Sequence, residues 1–300
     1  MKLGFLTACL RGLALEEIVP WAAENGFQAL ELACWPMKNE RDYSASTLDV
    51  TNMTAARAED VKALFAQHGM EISCLTYCDN NLAPDSEVRQ HHLDHLKKVI
   101  DAANLLGVKN VSTFIGRDPR LTEAENVEEA IKVFTPIVDY AAERDVRIAI
   151  ENCPMPGWQF EGLAGNIAYS PKLWDALFER FPADCFGLNF DPSHLWWLGI
   201  DPIKAVRDYA DRIFHVHAKD TELLTENTYR IGVLLGRGWW RYRMPGLGEI
   251  PWARLISTLN EVGYDYVLST EHEDPVWEGS HEKVKQGLIL GRRFLSQFVI

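Results

Sequence analysis

Two spacings of apolar residues trade places along the whole chain. Short apolar runs of strand length are each followed by a longer stretch in which apolar positions recur at helical spacing. The pattern predicts strands over Leu3–Thr7, Ala29–Ala33, Glu71–Tyr77, Asn110–Ile115, Arg147–Glu151, Phe186–Asp191, Ile213–His217 and Tyr266–Glu271. The helices between and after them are expected near Leu15–Asn25, Thr54–His68, Ser86–Leu106, Glu123–Arg144, Pro171–Phe181, Pro202–Tyr209, Trp252–Val262 and His281–Phe298. Glycine stands just past several helix ends, at Gly26, Gly69, Gly107 and Gly263. A residue there closes the helix in the left-handed conformation, which glycine adopts without a Cβ penalty.

Eight strand–helix units in 300 residues imply an α/β fold of a single domain, a closed (β/α)8 barrel over residues 1–300. An open doubly wound sheet is the competitor. No GxGxxG or Walker loop follows the first strand, which counts against it. Two connections are long, Asn152–Ser170 and Asp220–Ile250, and both follow the C-terminal ends of strands. Barrel enzymes build their active sites at that end. A surface excursion or a subunit contact would explain the same lengths.

The chemistry concentrates at those strand ends. The fifth strand closes on Glu151, the sixth on Asp191, the seventh on His217 and the eighth on Glu271. Ends of successive barrel strands converge, so three carboxylates and one imidazole face one point. Such an oxygen-rich set suits one divalent ion, Mn²⁺ first, with Mg²⁺ or Co²⁺ as alternatives, and not a thiolate-rich structural zinc site. Each residue alone has an ordinary explanation. Glu151 or Glu271 can be solvated, Asp191 before Pro192 can start a turn, and His217 can be a core histidine. Their occurrence at four equivalent positions is harder to explain that way.

His194 and Lys219 are expected near the same mouth as substrate-binding side chains, with His215 one layer deeper. The segment from Gly236 to Gly248 is basic and aromatic. Arg237, Arg241 and Arg243 could bind substrate oxygens, and Trp239 and Trp240 could stack on a sugar ring. A subunit interface would use the same residues, and a homo-oligomer is expected.

The formal net charge of −13 disfavours nucleic acid and anionic lipid as partners. No apolar run reaches membrane-spanning length and the N-terminus lacks a signal-peptide pattern, so a cytoplasmic location is expected. The six cysteines form no CxxC pair and are expected as buried free thiols.

These residues resemble a known group. Ile-Glu-Asn at 150–152, Asp-Pro-Ser-His at 191–194, His-Val-His-Ala-Lys-Asp at 215–220, Pro-Gly-Leu-Gly-Glu-Ile-Pro-Trp at 245–252 and Glu271 are similar to motifs of the xylose isomerase-like TIM barrel superfamily. That superfamily includes D-tagatose 3-epimerase, inosose dehydratase and apurinic endonuclease IV. The resemblance implies that Glu151, Asp191, His217 and Glu271 hold one divalent ion. It makes Glu151 and Glu271 the acid/base pair and His194 a substrate-binding histidine. The implied activity is that of a sugar isomerase or epimerase, moving a proton next to a carbonyl through a metal-stabilised enediolate. The alternative is a lyase that performs β-elimination on a keto-inositol or 3-keto-glycoside. A non-catalytic sugar-binding barrel and an endonuclease are more distant. Leu223 stands where the epimerases carry arginine, and Gly157 where they carry a second glutamate. The Lys219-Asp220 pair is closer to the dehydratase branch.

Overall fold

The apolar runs pair side by side as parallel strands until the last meets the first. The computed structural model describes residues 1–37, 46–156, 163–233 and 238–299. In chain order the barrel holds β1 (Lys2–Leu6), β2 (Ala29–Ala33), β3 (Glu71–Thr76), β4 (Asn110–Thr113), β5 (Arg147–Glu151), β6 (Phe186–Phe190) and β7 (Ile213–Ala218). An antiparallel pair, β8 (Asp220–Leu223) and β9 (Trp240–Arg243), then leaves the barrel. Strand β10 (Val267–Thr270) closes it between β7 and β1.

The helices are α1 (Leu15–Glu24), α2 (Ala55–Gln67), α3 (Ser86–Leu106), α4 (Glu123–Ala142), α5 (Pro171–Phe178), α6 (Pro192–Trp197), α7 (Pro202–Asp208), α8 (Thr225–Ile231), α9 (Trp252–Glu261) and α10 (His281–Leu295). Side chains of Thr54, Asp85, Thr122 and Ser280 accept from the first free backbone N–H groups and start their helices. The four predicted helix-closing glycines all adopt positive φ, +79° at Gly26, +63° at Gly69, +72° at Gly107 and +85° at Gly263. Buried apolar faces of the helices pack on the outside of the barrel, with Phe134, Trp174 and Phe186 among the fully buried side chains. Each such side chain contributes about 1.5–3 kcal/mol by leaving water.

Three features depart from the sequence expectation. Strand β6 ends at Phe190, because the Asp191 carboxylate accepts from Ser193 N at 2.7 Å and caps α6. Pro192 fits the first turn of that short helix, which the pattern did not show. The 220–250 connection is not an irregular loop but carries β8, α8 and β9. Arg237, expected at the substrate, and Gly157 lie outside the described residues. Among the described residues no helix is long and apolar enough to cross a membrane. The six cysteines are free, with Cys34, Cys74, Cys78 and Cys153 buried and Cys9 and Cys185 partly so.

Candidate active site

Parallel pairing brings the C-terminal ends of β5, β6, β7 and β10 next to one another. One carboxylate oxygen each of Glu151, Asp191 and Glu271 and one ring nitrogen of His194 lie within 4.8 Å of one another. His217 Nδ1 faces the same point, 3.0 Å from Glu271 Oε2, 3.8 Å from Glu151 Oε1 and 3.9 Å from Asp191 Oδ2. The structure therefore brings together the four side chains expected to hold an ion, and sets His194 beside them.

Two buried atoms there, Asp191 Oδ2 and His217 Nδ1, form no well-aligned hydrogen bond. They are nonetheless close to charged groups, Asp191 Oδ2 at 3.1 Å from Lys219 Nζ and from His194 Nε2, and His217 Nδ1 at 3.0 Å from Glu271 Oε2. Three buried carboxylates that meet at one point are costly unless positive charge offsets them. Oxygen donors with one imidazole fit a hard or borderline divalent ion.

Lys219, the next inward-facing residue along β7 and its extension, also enters the cluster. Its Nζ lies 2.6 Å from Glu271 Oε2, 3.0 Å from Glu273 Oε2 and 3.1 Å from Asp191 Oδ2. Burial would lower its pKa, but Asp191, Glu271 and Glu273 outweigh burial and hold the ammonium charged. Lys219 in turn helps to hold two carboxylates ionised against the cost of their own burial. Asp191 sits well below the usual range, and Glu271 falls to about 2 with His217 also contributing. Glu151 moves the other way, raised by burial and by the charge of Glu271.

His194 is the first histidine above β6. Its Nε2 is 3.1 Å from Asp191 Oδ2 and 3.3 Å from Glu151 Oε1, while Nδ1 is 2.8 Å from the Tyr242 hydroxyl. Tyr242 comes from β9, so the long connection completes the site. The Lys219 ammonium lies 4.4 Å from the centre of the Tyr242 ring. Trp240 stacks on Trp197, with centroids 4.5 Å apart and planes at 8°. The neighbouring arginines pair with carboxylates. Arg241 Nε donates to Glu222 at 2.7 Å, and Arg243 binds both Glu222 and Asp274, the latter at 3.0 Å.

Glu151, Glu271 and Lys219 of the cluster line a cavity of about 540 Å³. Trp35, Phe114, Met155 and Tyr242 supply apolar wall. The charged lining comprises Glu151, Glu271, Glu273 and Glu278 against Arg11 and Lys219.

Sequence reasoning passed over Glu31, Asn189, Tyr242 and Glu273. Glu31 is fully buried inside the barrel. Its carboxylate lies 3.0 and 3.1 Å from His217 Nε2 and accepts from Ser269 Oγ at 2.6 Å and from Thr76 Oγ1. Burial alone would raise its pKa, but His217 and His215 hold it well below the usual range. The readable signal was a single acid in the apolar run Ala-Leu-Glu-Leu-Ala, on the face it shares with neither leucine.

A family model described as xylose isomerase-like TIM barrel matches residues 19–294. The chain belongs to that family. It is 28% identical over 299 residues to the uncharacterised protein YfiH of Bacillus subtilis, covering 91% of this chain and 93% of that one. It is 29% identical over 120 residues to inosose dehydratase of Geobacillus kaustophilus, covering 37% of this chain and 38% of that one. Among solved structures it superposes on the IolI protein, described with a binding zinc atom, with a TM-score of 0.72, 21% identity and 99% of each chain covered.

Proposed function

We propose that this protein is a divalent-ion-dependent enzyme that moves a proton on the carbon beside the carbonyl of a neutral sugar, and so isomerises or epimerises it. The observation that carries the reading is the meeting of Glu151, Asp191, His217 and Glu271 around one point, beside a cavity that Glu151 and Glu271 line. Glu151, Asp191, His217 and Glu271 would hold the ion. When bound it supplies Lewis-acid polarisation of the substrate carbonyl.

The chain's own residues do the rest. Glu271, held ionised, accepts the proton at a carboxylate oxygen, and Glu151, whose proton is held more tightly, returns one. His194 Nε2 and Lys219 Nζ orient substrate oxygens. Tyr242 holds the His194 ring. Four carboxylates against two basic groups in the lining disfavour a phosphorylated substrate. The cavity volume suits a monosaccharide or cyclitol.

A second reading, β-elimination, shares the first proton transfer. It is favoured by Lys219, whose ammonium lies against Glu271 and can protonate a departing hydroxyl, and by the partial match to a protein named inosose dehydratase. Deuterium uptake from D2O, followed by NMR, tests both. Substrates would be free ketoses, keto-inositols and 3-keto-glycosides, with the Mn²⁺-loaded protein and its E271Q variant. Exchange without loss of water marks the first reading, and loss of water marks the second. Exchange that persists in E271Q, or no reaction with any of the three classes, would remove the proposed chemistry.

A further inference from the structure

We propose that Glu31 is a positioning residue for the ion site: it fixes the proton of His217 on Nε2 and so leaves Nδ1 as the ligand atom. The proposal rests on the reading that the site takes a divalent ion.

An imidazole offers two nitrogens, and only a nitrogen without a proton can bind a cation. The surroundings of His217 differ on its two sides. Nδ1 looks outward to Glu271, Glu151 and Asp191 and makes no hydrogen bond. Nε2 looks inward to both oxygens of Glu31, at 3.1 and 3.0 Å. A carboxylate can only accept, so the nitrogen held against both Glu31 oxygens carries a proton; Nδ1 also meets a carboxylate, Glu271 Oε2 at 3.0 Å, but on that side an ion shared with Glu271, Glu151 and Asp191 can take the proton's place. Asn189 Nδ2 lies 2.9 Å from that nitrogen and Oδ1 lies 3.0 Å from His215 Nδ1; with the proton on Nε2 the amide takes the flipped orientation, Oδ1 toward His217 and Nδ2 toward His215.

Glu31 is itself held. Ser269 Oγ donates to Oε2 at 2.6 Å and Thr76 Oγ1 donates to Oε1. Ser269 is the direct strand neighbour of His217, so the donor, the acid and the imidazole are tied across β10, β2 and β7. The backbone supports the same arrangement. Pairing between β2 and β3 shifts by one residue between Leu30 and Glu31, passing over Ser73. Pairing between β6 and β7 shifts between Leu188 and Asn189, passing over Phe214. Such irregularities re-aim side chains. These two fall at Glu31 and Asn189, two side chains that touch His217 Nε2.

A buried acid kept only for stability would need no imidazole on its open side, and its loss would leave the ligand geometry alone. Here the acid sits directly behind a candidate ligand. Loss of such a partner behind a metal-bound histidine typically weakens metal binding 10- to 100-fold.

The test compares wild type, E31Q, S269A and D191N after removal of metal by a chelator. Mn²⁺ affinity would be read by calorimetry, the visible absorption of bound Co²⁺ would report ligand geometry, and circular dichroism would check folding. The expected result is loss of Mn²⁺ binding in D191N. E31Q should bind about 10- to 100-fold more weakly, with altered Co²⁺ bands. S269A removes only one donor to Glu31 and should bind a few-fold more weakly; it decides the matter if E31Q does not fold. If wild type takes up no Mn²⁺, the reading of the site as an ion centre fails and this proposal with it. If wild type binds and D191N does not, while E31Q and S269A match wild type within about twofold with unchanged bands, only the role of Glu31 is overturned.

Discussion

Trp252 donates its indole N–H to Asp220 Oδ2 across 2.8 Å, joining the first residue of β8 to the first turn of α9. The same carboxylate accepts from Thr221 N, Gly246 N and Ile250 N at 2.8, 2.9 and 3.0 Å. One buried acid thus gathers both ends of the excursion that delivers Tyr242. Gly248 is required beside it, since a Cβ there would lie 2.3 Å from Asp220 Oδ1 and 2.5 Å from Thr221 O. In D220N an amide nitrogen replaces one acceptor oxygen and leaves buried donors unmatched. The expected cost is about 2–4 kcal/mol, with a fall in melting temperature on the order of 3–6 °C. Melting within about 1 °C of wild type would show that the carboxylate does not secure the excursion.

That knot explains why part of the molecule was readable in the sequence and part was not. Barrel strands and their helices follow from local periodicity, and Arg147–Glu151 and Ser86–Leu106 fall where the pattern sets them. The 220–250 segment has no such period. Its fold depends on one carboxylate collecting N–H groups from residues about thirty positions away, which no local window contains. Glu151, Asp191, His217 and Glu271 were legible because each stands at a strand end. Tyr242 was not, because its place at His194 depends on the excursion. The ion pairs of Arg241 and Arg243 were not legible for the same reason, since their partners Glu222 and Asp274 become neighbours only once the chain has folded. Glu31 and Asn189 lie mid-strand, where a polar residue announces burial of a partner but not which partner.

The Tyr242 hydroxyl and His194 Nδ1, 2.8 Å apart, make a separable contact. Y242F keeps the ring over Lys219 and removes only the hydrogen bond. Stability should fall by about 1 kcal/mol. If His194 orients substrate, turnover should fall roughly tenfold, the effect of about 1.4 kcal/mol in the transition state. Ion affinity should not change, because the Tyr242 hydroxyl contacts none of the four proposed ligands in the described contacts. Unchanged turnover would show that the ring needs no such support.

Lys219 and a bound cation answer the same need, since both offset the carboxylates of Asp191 and Glu271. In K219M without metal, three acids face one another around a lost ammonium. Leaving buried charges unpaired costs about 3–5 kcal/mol. Mn²⁺ at one fixed concentration stabilises each form according to its own dissociation constant, and K219M, with no ammonium competing for these carboxylates, should bind it more tightly than wild type. Destabilisation by K219M should therefore be larger in chelator than in Mn²⁺. Chelation should also abolish turnover in wild type, with recovery on adding Mn²⁺. An equal loss of stability in both conditions would show that lysine and ion do not act on the same charges.

A pH-dependent element lies apart from this centre, in the turn that leads into α4. Asp118 is buried and accepts from Arg120 Nη2 at 2.6 Å, from Arg120 Nε at 2.9 Å and from the Arg120 backbone N–H at 2.9 Å. The bond from the Arg120 side chain, against the cost of burial, holds its carboxyl below the usual range. The sign follows from linkage. A carboxyl with a depressed folded-state pKa contributes stability above its unfolded value of about 3.9. That contribution is lost as pH falls from there through the folded value. D118N lacks the titration, so its stability deficit should be full and constant from pH 7 to about 5 and should shrink as pH falls below about 4. Thermal melting of both proteins across that range measures the gap. A deficit that stays constant down to about pH 3 would mean that Asp118 acts through the shape of the turn and not through its charge.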